Sequence, residues 1–388
     1  MINFDNNATT PVAEPVLDEL VRATREFYGN TSSGHSLGLK AGKYLMECRQ
    51  RVAKILNAEH PEEIVFTSGG TESDNAAIRG IACAMKEKGR NGLVTCAIEH
   101  RAVLNPCEAL KPEGFTLDVL PVDANGVVSL DAARKAIHGK TALVSVMLAN
   151  NEIGTIQPIT ELAKLAHDAG AVLHSDGVQA AGKMPIDVRA SGIDSLSLSA
   201  HKFYGPKGVG VLYLKKGIPF HSTMLGGTHE ANRRAGTVAL PQIAALTVAL
   251  EYVENKRLKE GARLKSLRDE LVKQLLAKVP GAHVNGNLAH TTINTASIRF
   301  DGVYGGHLLR KMDEHGILAS AGSACMWEIT KPSHVLSALG LSDTEGGGTI
   351  RFSLGFSNTL EEVTQVADIL AKLVPAVRAE PREKLVAR

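Results

Sequence analysis

The sequence has 388 residues, enough for a large core and for about two structural units. Its 43 Lys and Arg against 41 Asp and Glu leave a formal net charge of +2 with no charged block, so neither nucleic acid nor an anionic membrane is indicated as a partner. No apolar run reaches the roughly 18 residues needed to cross a bilayer. The start, Met1 to Asp5, has no basic then apolar leader, and the five cysteines form neither a CxxC pair nor a zinc spacing; reduced thiols, a cytoplasmic location and no metal are the expectations.

Along the chain, short apolar runs alternate with helix-like segments from about residue 15 to 250. Ile64–Thr67, Leu93–Ala97, Ala142–Met147 and Ala171–His174 read as buried strands, and their continuous apolarity suits a mostly parallel sheet covered on both faces. Two apolar runs between Leu196 and Leu214 flank Gly205-Pro206-Lys207-Gly208, which reads as a hairpin-type connection at a sheet edge. A long helix is expected from about Ala244 to Val279, with Leu264, Leu267, Leu271 and Leu275 as its apolar stripe, its charges as a solvated face and Gly261 as a bend. Beyond Pro280, strand-like Ala296–Phe300 and Thr349–Ser353 and helices near His307–His315 and Leu360–Leu373 read as a smaller α+β unit, joined by the N-terminal segment.

Three stretches carry chemistry. Thr67-Ser68-Gly69-Gly70-Thr71-Glu72-Ser73 follows a strand and opens a helix, so free N–H groups and the helix dipole converge there. With Gly70 allowing close approach and Thr71 adding a hydroxyl, it is a phosphate cradle; alone, a plain turn capped by Thr71 is the simpler reading. Asp176 stands just past a buried strand, where ligands of α/β sheets bind, and could either cap a helix or keep a pyridinium nitrogen protonated. Lys202 follows an apolar run and precedes a Gly-Pro turn, a shielded place where the neutral amine needed for a Schiff base is favoured. Ser199 and His201 flank it as phosphate-type donors.

In this order the three stretches resemble the fold-type I pyridoxal-phosphate enzymes of the class V aminotransferase group, and within it the cysteine desulfurases of the NifS/IscS type. The resemblance covers nearly the whole chain: Asp5–Pro11, Gly29-Asn30, Glu99–Val103, Asn150–Gly154, the Asp176 and Lys202 stretches, Arg234–Thr237, Gly322–Cys325 and Ile350–Gly355. It implies an α/β fold with a large pyridoxal-phosphate-binding domain, 15–257, on a mostly parallel seven-stranded sheet. A smaller α+β domain, 1–14 with 258–388, would carry a catalytic Cys loop. The implied activity converts L-cysteine to L-alanine and leaves sulfur on Cys325 as a persulfide, for iron–sulfur cluster assembly or another thiolation pathway.

The same resemblance assigns roles residue by residue. Lys202 matches the lysine that holds the cofactor and later moves a proton, Asp176 the partner of the ring nitrogen, Gln179 the partner of the ring hydroxyl and His100 the imidazole stacked on the ring. Gly70, Thr71, Ser199 and His201 match phosphate ligands, and Thr237 the phosphate ligand lent by the other subunit of a homodimer. Asn151, which also matches a cofactor contact, and Arg351 match binders of the amino-acid substrate, Arg351 by a bidentate grip on its carboxylate. His100 is further implied as a catalytic group handling protons at the ring or the leaving sulfur. A sulfur-acceptor protein is implied without an identity. Met326 and Trp327 after Cys325 depart from the small polar residues usual there, and Trp327 reads as part of a hydrophobic docking surface. A selenocysteine lyase, a class V transaminase with an incidental Cys325, and a non-catalytic scaffold are the alternatives on this fold.

Overall fold

The apolar runs fold as strands because they can be covered on both faces. The computed structural model describes residues 1–321 and 333–380. Its strands are β1 (Ile2–Asn3), β2 (Ile64–Thr67), β3 (Gly92–Cys96), β4 (Thr116–Leu120), β5 (Thr141–Ser145), β6 (Val172–Asp176), β7 (Ser195–Ser199), β8 (Gly210–Leu214), β9 (Ala282–Val284), β10 (Thr295–Phe300), β11 (Ile317–Leu318) and β12 (Thr349–Ser353). β2 to β8 form one seven-stranded sheet in the order β2-β8-β7-β6-β5-β3-β4, and only β8 runs against its neighbours.

Alternate residues of each strand face different helices. On one side Phe66, Val94, Val144 and Leu173 pack with helix Ser36–Leu56 and the first part of helix Leu240–Lys278. On the other, Val65, Leu93, Leu143 and Val172 pack with Ile78 and Ile81 of helix Gly70–Lys86 and Val103 of helix Arg101–Leu110. The expected connection between Leu196 and Leu214 is the β7–β8 reversal, but it is not at the edge: β2 pairs on the far side of β8, Ile64 opposite Tyr213. β4 escapes the apolar-run criterion because it is an edge strand with three of its five residues exposed and Asp118 at its centre.

A second hydrophobic core lies around the antiparallel sheet β12-β10-β9, where Ile298 stands opposite Ile350. Leu264, Leu271 and Leu275 of helix Leu240–Lys278 enter it, as do Val363, Val366 and Leu370 of helix Leu360–Ala379. The N-terminus joins it too: β1 pairs in parallel with β11, and Phe4 is fully buried. Helix Leu240–Lys278 thus spans both cores, and it is unbroken through Gly261. A Cβ on Gly261 would sit 3.5 Å from Ile293 Cδ1, an ordinary contact, so neither the expected bend nor crowding accounts for this glycine.

Two further expectations change. Arg268 does not belong to a solvated face: it is fully buried and donates to Thr291 Oγ1 and to the Thr292, Thr295 and Leu288 carbonyls, tying the long helix to the approach to β10. The last helix continues through Pro375 to Ala379, because Val374 and Val377 bury in the second core and offset the hydrogen bond that proline cannot donate. No helix among the described residues is long and apolar enough to cross a membrane.

Candidate active site

Parallel strands gather their carboxyl ends on one edge of the sheet, which is where ligands of such folds bind. Asp176 is the last residue of β6; it is buried, and its Oδ1 accepts the Val178 N–H at 2.8 Å. Burial pushes its pKa up, while that N–H and the nearby His100 and Lys202 pull it back.

Behind it, on helix Gly70–Lys86, Asp74 is buried with one carboxyl oxygen unpaired among the described residues. Burial and the charge of Asp176 hold its carboxyl well above the usual range. His174 Nε2 is 3.6 Å from it, but burial drives that imidazole down to about 3, and its nitrogens lie against Ser145 and Ser197 hydroxyls. Glu99, equally buried, is also pushed up and accepts the Met147 N–H. Burial thus favours the protonated form of Asp74 and Glu99 and neutral His174; Asp176 is raised as well, but it alone of the three carboxyls has the charges of His100 and Lys202 pulling against burial.

Lys202 ends the single turn Ala200–Lys202 that follows β7. The chain doubles back at Gly205, whose N–H reaches the Ala200 carbonyl; a Cβ there would lie 2.8 Å from Ala200 Cβ, so only glycine fits the turn. The N-terminal strand of chain passes over this turn, with Thr10 donating to the His201 carbonyl and Tyr204 N–H donating to Thr10 Oγ1. Lys202 Nζ donates to the carbonyls of Asn7 at 2.8 Å and Ala8 at 2.7 Å. Burial first, and then the Arg351 charge, bring its pKa down to about 8, against the opposing pull of Asp176 and Asp5.

Next to it is an anion cradle. No side chain caps helix Gly70–Lys86, so its first N–H groups are open, and Gly69 (φ +152°) turns the chain into it. A Cβ on Gly70 would press on Val178 Cγ2 at 2.6 Å, and one on Gly69 would sit 3.6 Å from Ser199 Oγ, so the helix start, the end of β7 and the Asp176 turn meet here. Thr71 is exposed at the helix start. His201 shares a hydrogen bond with Thr9 Oγ1 at 3.2 Å and is driven down to about 4 by burial and by Lys202, Lys207 and Lys183.

Arg351 lies on β12 between Ile350 and Phe352, which face the second core; Arg351 itself is 3% exposed and turned to the site. Its Nη1 donates to the Asn151 carbonyl at 3.0 Å and its Nη2 to Asp5 Oδ1 at 2.7 Å, while Nε has no partner among the described residues. The Asn151 side-chain amide makes no hydrogen bond among them either. His100 caps helix Arg101–Leu110 by accepting the Ala102 N–H on Nδ1, which places its proton on Nε2. Gln179 Nε2 donates to the Asn7 carbonyl and Oε1 accepts from Lys183, leaving one N–H free.

Thr237 stands apart, exposed ahead of helix Leu240–Lys278 and without a hydrogen bond to another described residue. Cys325 and Trp327 lie outside the described residues. The residues on either side of that stretch are tied to the site: Ser320 exchanges backbone hydrogen bonds with Arg351, and Ser333 donates to Glu152 Oε2 at 2.6 Å. Sequence reasoning did not single out Asp5, Asn7, Asp74 or Lys183. Asp5 and Asn7 act at the far end of the chain from their partners, and Asp74 and Lys183 sit on helix and turn positions that read as ordinary surface polar residues.

The donor set suits pyridoxal phosphate. A shielded amine of lowered pKa, a buried carboxylate without a cation in hydrogen-bond contact, and an uncapped helix start beside Ser199 and His201 answer its aldehyde, ring nitrogen and phosphate. Arg351 Nε, buried and without a partner among the described residues, is the guanidinium donor that the surrounding chain leaves unused.

Residues 2–366 match the family model Aminotransferase class-V. The chain is 44% identical over 378 residues to a cysteine desulfurase of Sinorhizobium fredii, covering 97% of each chain. It is 43% identical over 377 residues to the cysteine desulfurase IscS of Methanosarcina thermophila, covering 97% of this chain and 93% of that one. Among solved structures, a NifS-like protein superposes with a TM-score of 0.90 at 36% identity, over 97% of this chain and 99% of the other.

Proposed function

The chain belongs to the class-V aminotransferase family, and from that premise we propose that it is a pyridoxal-phosphate-dependent cysteine desulfurase, converting L-cysteine to L-alanine and passing the sulfur on. When bound, the cofactor supplies an aldehyde that condenses with amines and a ring that draws electrons from Cα. The observation that carries the reading is the half-buried Lys202 amine at the turn after β7, held at about pKa 8 within the electrostatic reach of both Asp176 and Arg351.

Lys202 holds the cofactor and, once released, is a base of suitable strength to take the Cα proton and return it. Asp176 would answer the ring nitrogen, the charges of His100 and Lys202 favouring its ionised form against the effect of burial. Gly70, Thr71, Ser199 and His201 take the phosphate, Gln179 offers its remaining N–H to the ring hydroxyl, and His100 covers the ring. Arg351 and Asn151 bind the substrate, with Arg351 gripping its carboxylate.

Cys325 attacks the substrate sulfur: an S–S bond forms, the C–S bond breaks with its electron pair left on the carbon side, and that carbon takes a proton as alanine leaves. The anchoring of Ser320 and Ser333 at Arg351 and Glu152 supports this assignment, because the chain that carries Cys325 begins and ends at the site. Three described cysteines do not compete as nucleophiles; Cys48, Cys96 and Cys107 are buried, and burial raises each thiol's pKa.

The working unit in this reading is a cytoplasmic homodimer in which exposed Thr237 completes the partner's phosphate cradle. Its domains are 15–257 and 1–14 with 258–388. The acceptor is a protein of an iron–sulfur assembly or other thiolation pathway, the first of these suggested by the name IscS of a relative. The names of the relatives do not favour selenocysteine lyase, transaminase or scaffold.

Incubation with L-cysteine, followed by mass analysis of the Cys325 peptide and measurement of alanine, tests the reading. Added sulfur on Cys325 with matching alanine is expected, and Cys325→Ser should retain bound cofactor but make no persulfide. Full alanine production by the serine variant would remove Cys325 from the mechanism.

A further inference from the structure

Lys183 is a buried lysine to which the chemistry above gives no task. It stands in the turn after β6, 7% exposed, and lines a small cavity together with Lys202, Asn6, Thr10 and Asn294. Among the described residues no carboxylate pairs with it; its Nζ donates to Gln179 Oε1. The neighbouring charges are Lys202 and Arg351, both positive, which with burial hold its amine well below the usual lysine range. An amine buried beside two cations adds nothing to stability as an ion, so its hydrogen bond is the property to explain.

Gln179 supplies the explanation. A glutamine amide fits its space either way round, and its partners decide which end faces where. Here the Asn7 carbonyl can only accept, and it takes the Nε2 end at 2.9 Å, while Lys183 donates to the Oε1 end. The same Asn7 carbonyl accepts from Lys202 Nζ at 2.8 Å, so Lys183, Gln179 and Lys202 belong to one hydrogen-bonded chain. Both contacts select one orientation, in which the second Nε2 hydrogen is presented as a donor.

We infer that Lys183 is a positioning residue that locks the Gln179 amide with its N–H toward the cofactor's ring oxygen. The inference rests on the reading of Gln179 as partner of the ring hydroxyl. Without Lys183, the amide loses one of its two anchors, and the donor to that oxygen is no longer fixed.

The test uses the full-length holoenzyme and its cofactor-free form, reading the position of the cofactor's visible absorption band and the affinity of apoprotein for pyridoxal phosphate. Lys183→Met should displace the band and weaken cofactor binding by roughly tenfold, the size of one buried hydrogen bond. Lys183→Gln, which keeps a donor, should restore both. In a Gln179→Ala background, Lys183→Met should change neither further, because its effect passes through the amide. Equal effects in the two backgrounds, or no rescue by Lys183→Gln, would overturn the inference. A Gln179→Ala protein with unchanged band and affinity would instead overturn the Gln179 reading beneath it. Thermal melting of the cofactor-free variants separates these outcomes from misfolding; if Lys183→Met does not fold, the comparison of Lys183→Gln with Lys183→Leu decides on the same two readouts.

Discussion

Arg351 Nη2 lies 2.7 Å from Asp5 Oδ1, so the guanidinium proposed to grip the substrate already carries a counter-ion from the opposite end of the chain. Asp5 makes burial of the cation tolerable, and the Asn151 carbonyl fixes a second edge. What is left is the unpaired Nε edge. Lysine would keep the charge, and with it the push on Lys202, but lose the planar fork. Arg351→Lys should therefore raise KM for L-cysteine by roughly ten- to a hundredfold with a smaller change in kcat, measured by alanine formation. An unchanged KM would take Arg351 out of substrate binding.

Lys202 makes a prediction about pH. Its native pKa of about 8 lies below the ordinary lysine value of 10.5, so the neutral amine appears earlier in the folded protein. Attachment of pyridoxal phosphate to the apoprotein should speed up as pH rises toward about 8 and then level off. Stability follows the same shift. Between the two pKa values the unfolded chain binds the extra proton, so apoprotein stability should increase with pH across that window. Lys202→Met should reduce this slope in urea titrations, leaving the part that Lys183 contributes, and should abolish turnover and the covalent visible band. A slope unchanged by the substitution would mean that Lys202 is an ordinary lysine.

Asp74 and Asp176 are neighbouring carboxyls with opposite expected behaviour. Asp176→Asn should lower turnover by orders of magnitude, because the ring nitrogen loses the charge that keeps it protonated. Asp74→Asn should be nearly silent in turnover, since asparagine resembles the protonated acid that burial favours there. Its effect belongs to stability. A carboxyl whose folded pKa is raised retains its proton where the unfolded chain loses it, so wild-type stability drains away as pH rises above about 4. Asp74→Asn should flatten that decline, as read from urea midpoints at acidic and neutral pH. A large loss of turnover would show that Asp74 carries charge during catalysis.

The fold was legible in the sequence wherever burial was two-sided. β2, β3, β5 and β6 are fully buried and read as apolar runs, whereas β4, exposed on an edge, did not. At the site, Asp176 and Lys202 could be proposed because strand ends and turns mark them locally. Asp5 with Arg351, and Asn7 with Lys202, join residues from opposite ends of a chain or distant strands, and no local pattern reports such a pairing. Asp74 reads as a surface helix residue until the helix is laid on the sheet. Gly261 shows the reverse error: glycine in a helix suggested a bend, but the helix is unbroken there and a Cβ would meet Ile293 only in ordinary contact.

The glycine that matters most to the cradle is Gly70. A Cβ there would lie 2.6 Å from Val178 Cγ2 and 3.5 Å from Ser199 Cβ. Its φ is not in the left-handed region, so alanine meets no backbone penalty and any cost is steric. Val178 is not a passive neighbour, because its N–H holds Asp176 Oδ1. Gly70→Ala should cost about 1–3 kcal/mol of stability through overpacking and should weaken cofactor binding, as the pushed Val178 loosens the Asp176 contact and the helix start draws back from the phosphate. Trimming the obstacle tests the cause. Gly70→Ala with Val178→Ala should recover most of the cofactor affinity, whereas Val178→Ala alone should lose only packing. If the double variant binds no better than Gly70→Ala, the defect lies in the cradle's N–H geometry and not in the clash with Val178.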